Sequence, residues 1–199
     1  MNYKNILSIF ISRSEIPVYI SSNEDMHKIL LERNFCYNIE ETKEHLFPFS
    51  VSGYCFEDNY YDPEKGTFII INKEISDSYK IAVLFHEYSH YLCIKNVCDC
   101  YCNSLLAEKH ALSTQLKACL YYKLDISLKL TMDTIKKSLV EGDKIEKYPD
   151  SEFSKVCSLV IKTDLWKKCK NFINKKKRET FSTSFLLPNN QIIKRSWRN

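Results

Sequence analysis

Apolar and polar positions along this 199-residue chain switch between a strand-like and a helical period. The first stretch, MNYKNILSIFISRSE, has a short apolar patch and no small-residue cleavage site, and it reads as a first strand or helix. Pro17-Val18-Tyr19-Ile20 is strand-like, and Ser22 to Arg33 carries a helical pattern with Ser22 as N-cap. Pro48 marks a break. Gly53-Tyr54-Cys55-Phe56 and Thr67-Phe68-Ile69-Ile70-Ile71-Asn72 read as two strands around the turn Asp62-Pro63-Glu64-Lys65-Gly66. No Gly or Pro interrupts residues 67–105, so a helix of about 15 residues is expected from Ser78. A second helix is expected over residues 104–123. Residues 125–180 stay helical in pattern, broken around Glu141-Gly142-Asp143 and Tyr148-Pro149-Asp150, and residues 181–199 form a tail. The pattern predicts an α+β fold: a small antiparallel or mixed sheet packed on two helices, with a helical C-terminal extension. The division expected is a domain over residues 1–124 and an extension over 125–199.

The first of those two helices carries His86-Glu87-Tyr88-Ser89-His90. Residues i and i+4 of a helix share a face one turn apart, so both imidazoles are able to hold one metal ion. Glu87, beside the first histidine, is placed to act as base toward a water on that ion. Around the motif the run VLFHEYSHYL is apolar or uncharged, with no helix breaker. The bland alternative is a buried helix whose histidines only pack.

Catalytic zinc takes three protein ligands. Glu108 and His110, in LLAEKHALSTQLKACL, are the candidates for the third. Two residues apart on one helix, they point in nearly opposite directions. Leu105, Leu112, Leu116 and Cys119 form an apolar stripe in which Glu108 falls, whereas His110 aligns with Leu106, Ser113, Thr114 and Lys117. A carboxylate on a core-facing stripe is costly unless paired or ligating, so helical phase favours Glu108. An ordinary salt bridge is its plain alternative, and a surface position is that of His110.

With HEYSH followed by a glutamate eighteen residues past the second histidine, the chain resembles the gluzincins, among them minigluzincins and ImmA/IrrE-type metallopeptidases. Glu108-x-x-Ala111 is similar to the glutamate helix of several of them. The likeness spans about residues 50–122. The Leu-Leu-Pro that ImmA/IrrE-type chains carry soon after the third ligand stands here only at Leu186-Leu187-Pro188, so the resemblance is to gluzincins broadly. It implies a zincin-like fold in which His86, His90 and Glu108 bind Zn2+ and Glu87 is general base and acid. It also implies a small sheet before the HExxH helix whose edge strand holds an extended substrate. The expected activity is hydrolysis of a peptide bond in a protein or peptide substrate. The rival expectation is a catalytically silent zincin-fold protein that regulates or binds a partner, and an effector protease with one dedicated target shares the chemistry.

Composition adds three points. Scarce Gly with abundant Ile, Lys, Asn and Tyr is what an AT-rich bacterial or viral coding sequence gives. Nine cysteines without a secretory signal, and no long apolar run, point to free thiols in a reducing cytoplasm and to no membrane span. Cys93, Cys98, Cys100 and Cys102 follow the HExxH helix closely, as a second metal site, a redox switch or small connector residues. Residues 161–199 hold eleven Lys/Arg against two Asp/Glu, a net of +9 that leaves −5 for the rest. With Trp166, Phe172 and Trp197 interleaved, they suit either an acidic or nucleic-acid partner or a solvated helix face.

Overall fold

The structure is a computed structural model that describes residues 2–33, 35–43, 52–56, 66–95, 104–140 and 150–184. Helix α1 (Tyr3–Ser12) opens on Asn2, whose side chain accepts from the Asn5 N–H. Strand β1 (Val18–Ser21) leads into α2 (Asn23–Glu32), capped by Ser22 as expected, and then into the short α3 (Ile39–Lys43). Strands β2 (Gly53–Phe56) and β3 (Phe68–Asn72) pair antiparallel, with Gly53 opposite Ile71 and Phe56 opposite Phe68. Strand β1 pairs parallel to β3, giving a mixed sheet in the order β1-β3-β2. The expected hairpin turn over 62–65 and the Pro48 break lie outside the described residues. Gly66, which returns the chain toward β3, has φ +57°, a left-handed conformation that favours glycine.

Strand β3 is buried on both faces, and the pleat sends alternate residues into two cores. Phe68 and Ile70 join Phe56, Met26, Leu30 and Cys36 beneath α2. Ile69 and Ile71 join the larger core beneath α4 (Asp77–Ile94), which starts one residue before the expected position on a Ser76 cap. Helix α4 lies between this sheet, α1 and α5 (Ser104–Tyr121), which is why apolar residues run most of the way round it. Phe10 meets Phe85 and Tyr122 edge to face, and those two rings lie tilted to each other, where α1, α4 and the end of α5 meet.

Helix α5 stops without a glycine. Lys123 takes φ 53°, the Leu124 N–H donates to Cys119 O, and the Lys123 N–H donates to Leu120 O. This is a Schellman ending, and its apolar residue Leu124 is buried. Helices α6 (Asp125–Val140), α7 (Asp150–Ile161) and α8 (Asp164–Ser184) follow. The α7–α8 break was not legible as a gap in periodicity. Thr163 makes it by accepting the Trp166 N–H on its side-chain oxygen. Leu128, Met132, Ile135, Val156, Cys157, Val160, Trp166 and Cys169 from these helices enter the same core as Ile69, Ile81 and Leu116. Within the described residues, no helix is long and apolar enough to cross a membrane.

Candidate metal centre

Helices α4 and α5 pack along their length, and the polar side chains between them converge on one point. His86 Nε2 and His90 Nε2 lie 3.2 Å apart. Glu108 brings Oε1 to 3.4 Å from His86 Nε2 and Oε2 to 3.3 Å from His90 Nε2. Three ligand atoms sharing one tetrahedral ion at zinc-like bond lengths stand about 3.3 Å from one another. Each imidazole faces a different oxygen of the Glu108 carboxylate, and one donor atom from each residue falls within 4.8 Å of the others, so the three could hold a metal ion. Their side chains keep 16%, 25% and 28% exposure, enough for water or substrate to reach the point they face.

The electrostatics match this reading. Burial works against the His90 cation, but the hydrogen bond to Glu108 and the charges of Glu87 and Glu108 outweigh it and raise its pKa. Burial likewise works against the Glu108 anion, yet the hydrogen bond to His90 and the two imidazoles hold its pKa below the ordinary range. Both shifts say that Glu108 and His90 stabilise each other's charged forms, so a positive charge beside this carboxylate is favoured.

Glu87 is almost fully buried, and desolvation raises its pKa, opposed by His86, His90 and a hydrogen bond from the Cys55 backbone. That hydrogen bond ties the carboxyl to β2. Close approach there requires Gly53: a Cβ at this position meets Val83 Cγ1 at 2.6 Å and Glu87 Cγ and Oε1 at 3.1 Å. The lack of a side chain at Gly53 lets the edge strand lie directly against the carboxylate.

Around the ligands lies a layer that the sequence reading missed. His86 Nδ1 is 3.1 Å from Gln115 Oε1, and Gln115 Nε2 donates to Thr131 Oγ1 on α6 at 3.1 Å. Tyr79 hydrogen-bonds to Ser52, Gln115 and Thr131. Gln115 is seven residues past Glu108 and so on the same face of α5, the one signal that pointed to it. Ser89, buried beneath the pair, donates to Thr114 Oγ1 at 3.4 Å.

The other sequence candidates are elsewhere. His110 is half-buried rather than on the surface, with Nδ1 3.6 Å from Cys93 Sγ, and it does not join His86 and His90. Two tyrosines beside the motif on α4 turn away toward the loop after α1: Tyr91 donates to Glu15 at 3.5 Å and Tyr88 feels the same carboxylate. Cys98, Cys100 and Cys102 lie outside the described residues.

No family model matches this chain, and comparison with curated proteins and with solved structures finds no match.

Proposed function

We propose that this protein is a zinc-dependent metallopeptidase of the gluzincin type, hydrolysing a peptide bond in a protein substrate. The observation that carries the reading is the convergence of His86, His90 and Glu108, one donor atom from each within 4.8 Å of the others, with Glu87 on the adjoining turn, under an edge strand. Two imidazoles and one carboxylate are a donor set that catalytic zinc takes while keeping a position open. Bound there, zinc lowers the pKa of a water to about 7 and polarises a carbonyl. In this reading Glu87 takes the proton of the attacking water and delivers it to the leaving amine. Its burial supports the role, because a carboxyl whose pKa is raised matches a proton transfer near neutral pH. The Cys55 N–H holds that carboxyl in place, and β2, at the edge of the sheet, offers main-chain pairing to an extended substrate.

Elemental mass spectrometry on wild type, Glu108→Ala and His110→Ala tests the site. One zinc in wild type, lost in Glu108→Ala and kept in His110→Ala, is expected. A chain that takes up no metal even after reconstitution overturns the proposal.

A second reading, a zincin-fold binding protein without hydrolysis, is favoured by one feature. Lys167, Lys168 and Lys170 are exposed on α8, while Trp166 and Cys169 anchor its other side in the core. Salt-dependent nucleic-acid binding that persists unchanged in Glu87→Gln, with no hydrolysis of a peptide library by wild type, selects it.

A further inference from the structure

The Gln115 amide bridges two polar side chains, Thr131 and His86. Thr131 Oγ1 lies 3.1 Å from Nε2, which only donates, and Thr131 sits on a different helix with its side chain buried. That leaves Oε1, which only accepts, against His86 Nδ1 at 3.1 Å. An acceptor there requires the imidazole to carry its proton on Nδ1. His86 Nε2 is then a bare lone pair, aimed at His90 and Glu108. The reversed amide presents N–H to Nδ1 and moves the ring proton to Nε2, where it blocks coordination. The Tyr79 hydroxyl, bonded to both Gln115 and Thr131, closes the network from the first turn of α4.

We propose that Gln115, held by Thr131 and Tyr79, is a positioning residue that selects the metal-competent tautomer of His86. The metal centre then depends on three helices. Helix α4 supplies the histidines, α5 supplies Glu108 and Gln115, and α6 supplies the hydroxyl that holds the amide. This makes α6 part of the site, although none of its residues is a ligand. The inference rests on the metal-binding reading above, and partners of this kind typically change metal affinity by about 10- to 100-fold.

The test is zinc affinity by chelator competition for wild type, Gln115→Leu, Gln115→Glu and Thr131→Val, with the melting temperature of each metal-free protein. Nitrogen-detected NMR of the His86 ring in the metal-free protein accompanies it. The expected results are an affinity loss of about 10- to 100-fold in Gln115→Leu, a smaller loss in Thr131→Val, and recovery in Gln115→Glu, whose carboxylate also accepts from Nδ1. The ring is expected as the Nδ1–H tautomer in wild type and as a tautomer mixture in Gln115→Leu. Unchanged affinity in Gln115→Leu, with wild type still binding zinc, overturns this inference alone. Equal losses in Gln115→Leu and Gln115→Glu overturn it too, because they trace the effect to packing. A wild type that binds no zinc overturns the metal-binding reading and this inference together, while the ring tautomer still reports whether Gln115 sets the proton.

Discussion

Helix α5 separates two groups of side chains, one half-buried and one buried, both rich in residue types that bind metals. On its α4 side stand His86, His90, Glu87, Glu108 and Gln115, and toward α7 and α8 stand Cys119, Cys157 and Cys169. In the first group Glu108 and His90 are paired, and each shifts the other's pKa toward its charged form, Glu108 down and His90 up. The second is desolvated, and hydrogen bonds from Ser138 and the backbone offset this only in part at Cys157 and Cys169. Burial pushes the Cys119 thiol up to about 12, helped by Cys169, and pushes Cys157 and Cys169 up to about 11 each. Even Cys157, which feels the Glu108 charge, is driven further toward the neutral thiol by it. Residue type therefore does not make a site. What makes a candidate one is whether donor atoms are cross-paired and held facing one point, as His86, His90 and Glu108 are on the α4 side. The thiols behave as small hydrophobes.

The comparison is exposed to experiment at several points. The largest effect belongs to Glu87. Glu87→Gln is expected to reduce peptide-library hydrolysis by about 10²- to 10⁴-fold while leaving zinc content at the wild-type level. Turnover that survives the change removes the base role, and zinc lost with it shows that Glu87 helps to build the centre.

Next is Gly53. With Val83 and Glu87 so close, Gly53→Val forces β2 off α4 or turns the carboxylate aside. Overpacking of this kind costs about 1–3 kcal/mol, so a lower melting temperature is expected, together with reduced hydrolysis and intact metal content. A variant as stable and active as wild type shows that the strand does not need its close seat on Glu87.

A smaller effect is expected from the thiols. Replacing Cys119, Cys157 and Cys169 together by alanine should leave zinc stoichiometry unchanged and lower stability through lost packing alone. A fall in bound zinc breaks the contrast between the two groups. In the folded wild type at neutral pH these thiols should also resist a thiol-specific reagent that labels the urea-unfolded chain at once.

The smallest effect is a pH dependence. The folded protein holds these thiol protons above their ordinary value of 9.0, so folding is favoured fully while the unfolded chain keeps them as well. Above pH 9 the unfolded chain releases its protons first, and stability is lost progressively up to about pH 11–12. Urea midpoints measured from pH 8 to 11 should fall, and fall less in the alanine triple variant. An equal slope in both assigns the alkaline loss to other groups.

Local pattern determined much of this molecule. Ser22, Pro17 to Ile20 and the short apolar runs of the hairpin declared their elements because caps, β-prone runs and turn residues act within a few positions. The i, i+4 histidines and the phase of Glu108 against Leu112 and Leu116 were legible for the same reason: a helix fixes which side chains share a face. Other features were not local. That β1 joins β3 in parallel, making the sheet mixed, follows from how α2 packs back over Phe68 and Ile70. That α6 to α8 share the central core, and do not stand apart from it, follows from where the apolar faces of α5 find partners. The role of Gln115 depends on Thr131 sixteen residues away, that of Gly53 on a carboxylate in another element, and the inertness of the thiols on desolvation. Each is a property of distance in space, which a chain acquires only when its elements pack.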